Sequence, residues 1–188
     1  MTTPAPRTSL THPLQIAEVT VPKSTGRIGI TFCPGKRQPS ALTGAWDRDL
    51  GLDLDRIRDW GASTVITLLE PHELTDLAVP DLGREVLARG LRWLHLPITD
   101  VSIPDQRFDA GWRAHGPDLL SSLRSGHRLL VHCKGGLGRA GTVAALMLVQ
   151  LGLSPDAAIA SVRAARPGAI ETPGQERYLR ESTPVIVH

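Results

Sequence analysis

The sequence predicts a single α/β domain with a mainly parallel central sheet flanked by helices. Three observations predict it. Short apolar runs of strand length alternate along the chain with stretches patterned for helices, which is the order of βαβ units. One run, Thr142 to Leu151, is apolar on every side, as suits a helix buried inside a fold. And 188 residues with 41% apolar content can close one full core, with no second domain.

Residues 1–26 are rich in Thr, Pro and Ser and lack periodicity. They read as a flexible N-terminal arm, so the folded domain is expected over residues 27–188. Ile28 to Phe32 is a strand candidate, stopped by Pro34-Gly35. Trp46 to Trp60 carries Leu50, Leu54 and Ile57 at helical spacing, with Gly61 as a stop. Asp47, Asp49, Asp53, Asp55 and Asp59 read as its solvated face. Thr64 to Leu69 is a β-branched run and hence a buried strand.

Residues 81–89 look helical between Asp81 and Gly90. Arg92 to Leu96 alternates as a strand does and ends at Pro97. Phe108 to Leu123 reads as a helix in spite of Gly111, Gly116 and Pro117. Leu129-Leu130-Val131 is a further buried strand. Ser154-Pro155 opens a helix with a cap and a first-turn proline. A last helix is expected from Pro173 to Glu181. Trp46, Trp60, Trp93 and Trp112 read as core or half-buried packing.

A formal net charge of +2 excludes a bulk nucleic-acid binder. Two cysteines, Cys33 and Cys133, are too few for a disulfide scaffold or a four-cysteine zinc site. His72, His95, His115 and His127 show no metal-ligand spacing. Met1 to Leu14 has no basic cluster followed by an apolar run, and no run is long enough to span a membrane, so a cytoplasmic protein is expected.

The chemistry is carried by Val131-His132-Cys133-Lys134-Gly135-Gly136-Leu137-Gly138-Arg139-Ala140-Gly141-Thr142, between a buried strand and a buried helix. In a parallel sheet this is the strand end at which ligands bind. Glycines let the backbone curl into a nest of N–H groups at a helix N-terminus, which suits a phosphate dianion. That nest would be Lys134, Gly135, Gly136, Leu137, Gly138 and Arg139. The same dipoles favour a thiolate at Cys133, a strong nucleophile. Arg139 can hold two phosphate oxygens with its planar fork, which lysine cannot.

At these residues the chain resembles the protein tyrosine and dual-specificity phosphatase superfamily, whose signature is His-Cys, five residues, then Arg. The nearest likeness is to the kinase-associated phosphatase group, over about Ile28 to Arg180. Pro34-Gly35, Glu73-Leu74, Pro97-Ile98, Ile103-Pro104-Asp105 and Gly168-Ala169-Ile170 add weaker matches. The resemblance implies a cysteine phosphatase fold of the dual-specificity type and a cysteinyl-phosphate intermediate. The implied substrate is a protein carrying phosphotyrosine, or phosphoserine and phosphothreonine as well. No metal or cofactor, nucleic acid or membrane partner is implied.

The general acid implied is an Asp about thirty residues before the nucleophile. Asp100 fits, and Asp105 competes with it, although a helix N-terminal role suits Asp105 better. The resemblance gives Gln175 the hydrolytic water to orient, against a plain surface role. It makes His132 a support that fixes the loop. One departure is Ala140, where relatives carry a Ser or Thr whose hydroxyl helps the cysteine leave. Thr142 lies too far along to be assumed a substitute, so slow phosphoenzyme breakdown is expected. Cys33 reads as a small core residue. Alternatives are a phosphoinositide or small phosphate ester phosphatase, a phosphate-binding regulator with low turnover, and a rhodanese-type domain.

Overall fold

In the computed structural model, which describes residues 5–182, a five-stranded sheet forms the centre. Its strands are β1 (Ala17–Thr20), β2 (Arg27–Thr31), β5 (Ala62–Thr67), β6 (Arg92–His95) and β7 (Arg128–His132), in the order β1-β2-β7-β5-β6. Only β1 runs antiparallel; β2, β7, β5 and β6 are mutually parallel. β7 is therefore central, with a parallel neighbour on each side. Its run of apolar residues follows from burial on both faces.

The two faces are covered separately. Leu129 and Val131 point into one core, and Leu130 between them points into the other. The first core is closed by α4 (Gln106–Arg124), α5 (Gly138–Gln150), α6 (Pro155–Ala165) and α7 (Pro173–Glu181). The second is closed by α1 (Leu50–Trp60), α2 (Pro71–Asp76) and α3 (Leu82–Ala88). A separate hairpin, β3 (Arg37–Gln38) with β4 (Trp46–Asp47), follows β2. Among the described residues no helix is long and apolar enough to cross a membrane.

Three expectations are corrected. The segment to residue 26 is not a loose arm from Ala17 onward, because β1 pairs with β2 and buries Val19 and Val21 in the sheet's core. Its Thr, Pro and Ser content concealed that alternation. α1 begins at Leu50 and not at Trp46: Asp49 caps it by accepting from Leu52 N, while Trp46 and Asp47 are committed to the hairpin. Asp53, expected on a solvated face, is only 1% exposed and pairs with Arg48.

α5 begins four residues earlier than its apolar run, at Gly138, so Arg139 stands in its first turn. α4 is continuous through its two glycines. A Cβ on Gly111 would lie 2.5 Å from Leu96, and one on Gly116 would meet Trp112, so these positions permit close packing.

Candidate active site

Cys133 stands at the carboxyl end of β7, and the loop 133–137 runs from it into α5. The carbonyls of this loop are held from outside. Lys134 O accepts from Cys33 N and from Lys36 Nζ. Gly135 O and Gly136 O accept from the two arms of Arg166, each at 3.1 Å. Leu137 O accepts from Gly141 N and Ile170 N. A planar trans peptide points its N–H opposite its C=O, so the amides that follow are turned to the inner side. Gly136 has φ 68°, and a Cβ there would lie 2.5 Å from the Thr31 carbonyl carbon. Only glycine fits that approach.

A cavity of about 340 Å³ opens over the loop. Cys133, Lys134, Gly135, Leu137, Gly138, Arg139 and Asp100 all line it; Gly136 does not, since its backbone packs on Thr31 and Phe32. Lys36 and Glu171 line it too, and sequence reasoning missed both.

Arg139 is buried and fixed. Its Nη1 and Nη2 donate to the two oxygens of Glu73, at 2.6 and 2.9 Å, and Nη1 also donates to Ile98 O. Nη2 lies 3.0 Å from Asp100 Oδ1. Burial alone would raise the Glu73 carboxyl, but the Arg139 bonds outweigh it and hold Glu73 below its ordinary value. Glu73 comes from α2, a helix absent from the sequence reading. The Glu73-Leu74 match was its one signal.

Asp100 is exposed at the cavity rim, before Val101, which has φ 59°. A β-branched residue rarely adopts that conformation. Asp105 is placed otherwise. It caps α4 by accepting from Arg107 N and Phe108 N and pairs with Arg107. Slight burial would raise its carboxyl, and these bonds bring it down.

His132 is fully buried, and burial pushes its imidazole down to about 4. The ring is thus neutral near pH 7. Cys133 O lies 3.4 Å from Nδ1 and can only accept, so Nδ1 carries the proton. Nε2 then accepts from Thr67 Oγ1 at 2.8 Å, and Thr67 accepts from Trp93 Nε1. A relay across three strands thus orients the residue before Cys133.

Gln175 is neither on the surface nor at the cavity wall, which corrects both of its expected roles. It is fully buried, and its Oε1 accepts from Glu171 N and Thr172 N in the capping box of α7. Its Nε2 donates to Ser102 O, tying α7 to the Asp100 loop. Ala140 is fully buried, and Thr142 Oγ1 donates to Gly138 O within its own helix. Cys33 is buried in the core, which raises its thiol above the ordinary range.

A family model described as "Swiss Army Knife protein, DSP-PTPase phosphatase domain" (PTP-SAK) matches residues 38–179. The chain is 34% identical over 137 residues to cyclin-dependent kinase inhibitor 3 of Rattus norvegicus, covering 71% of this chain and 63% of that protein. It is 28% identical over 146 residues to protein tyrosine phosphatase domain-containing protein 1 of Bos taurus, covering 71% and 18%. The match thus spans under two thirds of these relatives' length. Among solved structures, kinase associated phosphatase (KAP), with its catalytic site cysteine replaced by serine, is similar at TM-score 0.79 and 29% identity, covering 90% of this chain and 93% of that one. Tk-PTP in its active form is similar at TM-score 0.61 and 30% identity, covering 85% and 97%.

Proposed function

The chain belongs to the DSP-PTPase phosphatase domain family, and from that premise we propose that it is a cysteine-dependent protein phosphatase of phosphotyrosine-containing proteins, with phosphoserine and phosphothreonine to be tested beside it. One observation carries the reading: the clamped guanidinium of Arg139 shares a cavity with Cys133, at the end of a central parallel strand, and with Asp100.

In the first step the Cys133 thiolate attacks phosphorus in line. The S–P bond forms as the bond to the leaving oxygen breaks, and Asp100 gives that oxygen a proton. Arg139 and the inward amides of the loop hold the equatorial oxygens. Asp100 Oδ1 now forms an ion pair with Arg139 Nη2; a phosphoryl group on that fork displaces the carboxyl, which takes up a proton from solvent and turns toward the leaving oxygen. In the second step water attacks phosphorus, its proton passes to Asp100, and the S–P bond breaks to return the thiolate. Gln175 acts on this step only through Ser102 and the Asp100 loop. With Ala140 offering no hydroxyl and Thr142 bonded to its own helix, phosphoenzyme breakdown is the slow step. A cytoplasmic site of action belongs to the same proposal, and the two free thiols support it.

The test is hydrolysis of p-nitrophenyl phosphate and of a phosphotyrosine peptide without added metal. Cys133→Ser is expected to abolish turnover. Asp100→Ala should lower kcat on the peptide by about 10²–10⁴-fold. The wild type should show a burst of p-nitrophenol. Full turnover in Cys133→Ser would sink the mechanism.

A further inference from the structure

The proposed reaction leaves one buried cation at its cavity unused. Lys36, between β2 and β3, is only 5% exposed and lines the same cavity as Cys133, Lys134 and Arg139. Its Nζ lies 4.4 Å from the Trp46 ring centroid and 5.0 Å from that of Phe32. It donates to Lys134 O at 3.3 Å. Among the described residues no carboxylate pairs with it.

Arg48 supplies the contrast within the same seat. It lies over the same two rings, at 4.9 and 5.8 Å, yet its charge is answered by both oxygens of Asp53. A buried charge without a counter-charge is costly, and aromatic faces answer only part of it. For Lys36 the missing anion has to come from the cavity. The anions that the proposed reaction places there are the Cys133 thiolate and the phosphoryl group bound against it. Burial pushes the Lys36 ammonium down to about 8, against the opposing pull of Cys33 and Cys133. It is therefore still a cation at neutral pH.

We propose that Lys36 is a positioning residue of the phosphoryl pocket, a fixed positive charge outside the signature loop that holds the Lys134 carbonyl outward and draws anions to Cys133. Because the peptide is planar, holding that carbonyl turns the Gly135 N–H toward the phosphoryl group. The inference rests on Cys133 being the nucleophile.

The experiment compares alkylation of Cys133 by iodoacetate, an anion, with alkylation by neutral iodoacetamide, at pH 7, read as loss of p-nitrophenyl phosphate turnover. The ratio of the two rates cancels the thiolate fraction and reports the field at the sulfur. In Lys36→Met the ratio is expected to fall about 10-fold, and protection by inorganic phosphate to weaken about 10-fold. Lys36→Arg should stay within about 2-fold of the wild type. An unchanged ratio and unchanged protection in folded Lys36→Met overturn the proposal. If that variant does not fold, Lys36→Gln and the wild-type ratio across pH 6.5–9 replace it. That ratio should fall through about pH 8, with Cys33, Cys133, Arg48 and Lys134 the groups bearing on Lys36; a flat ratio overturns the proposal equally. Failure of both reagents to inactivate the enzyme would instead remove Cys133 as nucleophile, which is the failure of the phosphatase reading itself.

Discussion

Arg48 and Arg139 are both buried and both gripped by two carboxylate oxygens, but they are spent differently. Arg48 uses every arm on protein. Nε and Nη2 donate to Asp53, and Nη1 donates to His12 O at 2.8 Å. Asp53 in turn accepts from Gly35 N. Arg139 is held by Glu73 and Ile98 O, yet its Nε has no hydrogen-bond partner among the described residues, and its Nη2, besides donating to Glu73, lies beside the exposed Asp100 at the cavity. The first pair locks the N-terminal segment and the hairpin onto α1. The second holds an arginine rigid while leaving it open to a ligand. The difference teaches that a buried ion pair marks a site only when one partner keeps a free direction facing a cavity.

Three measurements can break or sharpen this contrast. The largest expected effect is on the closed pair. Arg48→Met leaves Asp53 buried and unpaired, which costs about 3–5 kcal/mol of stability. Urea unfolding should show that loss, with activity per folded molecule retained. Loss of activity without loss of stability would erase the distinction.

Next comes the open pair. Arg139→Lys keeps the charge but loses the fork, and kcat/KM should drop by about 10²–10³-fold, as for loss of a transition-state donor. A drop under about 10-fold would show that the fork is not used.

The smallest effect concerns a buried group kept neutral. His132 in the native chain sits at about 4, pushed down by burial, whereas the unfolded chain takes its proton near 6.5. The unfolded state then binds more protons between these values. Stability from this group is full above about pH 6.5 and falls as pH drops toward 4, by roughly 3 kcal/mol in all. His132→Asn should flatten the slope of Tm against pH from 7 to 4. An unchanged slope would mean that the ring takes its proton as readily in the fold as in the unfolded chain.

Much of the fold was legible because its signals are local. Gly61 ends α1 with φ 93°, Ser154 and Pro155 start α6, and the alternation of strands and helices implied a parallel sheet. The signature loop was legible for the same reason: Cys133, its glycines and Arg139 lie within seven consecutive positions. β1 was hidden because its alternation spans only four residues inside a polar segment. Asp53 was misread because helical spacing shows which residues share a face but not that Arg48 waits beside it.

By itself, then, the sequence determined most of the order of strands and helices, and the loop of Cys133 and Arg139 to which the proposed chemistry is assigned. Tertiary structure alone decided what that arginine is clamped by, how the loop carbonyls are held and which charges face the cavity. Glu73 reaches Arg139 across 66 positions, Lys36 reaches Lys134 O across 98, and Arg166 reaches the loop across about 30. Such contacts leave no period in the chain. Their energy depends on burial and on mutual geometry, and both exist only once the chain has folded.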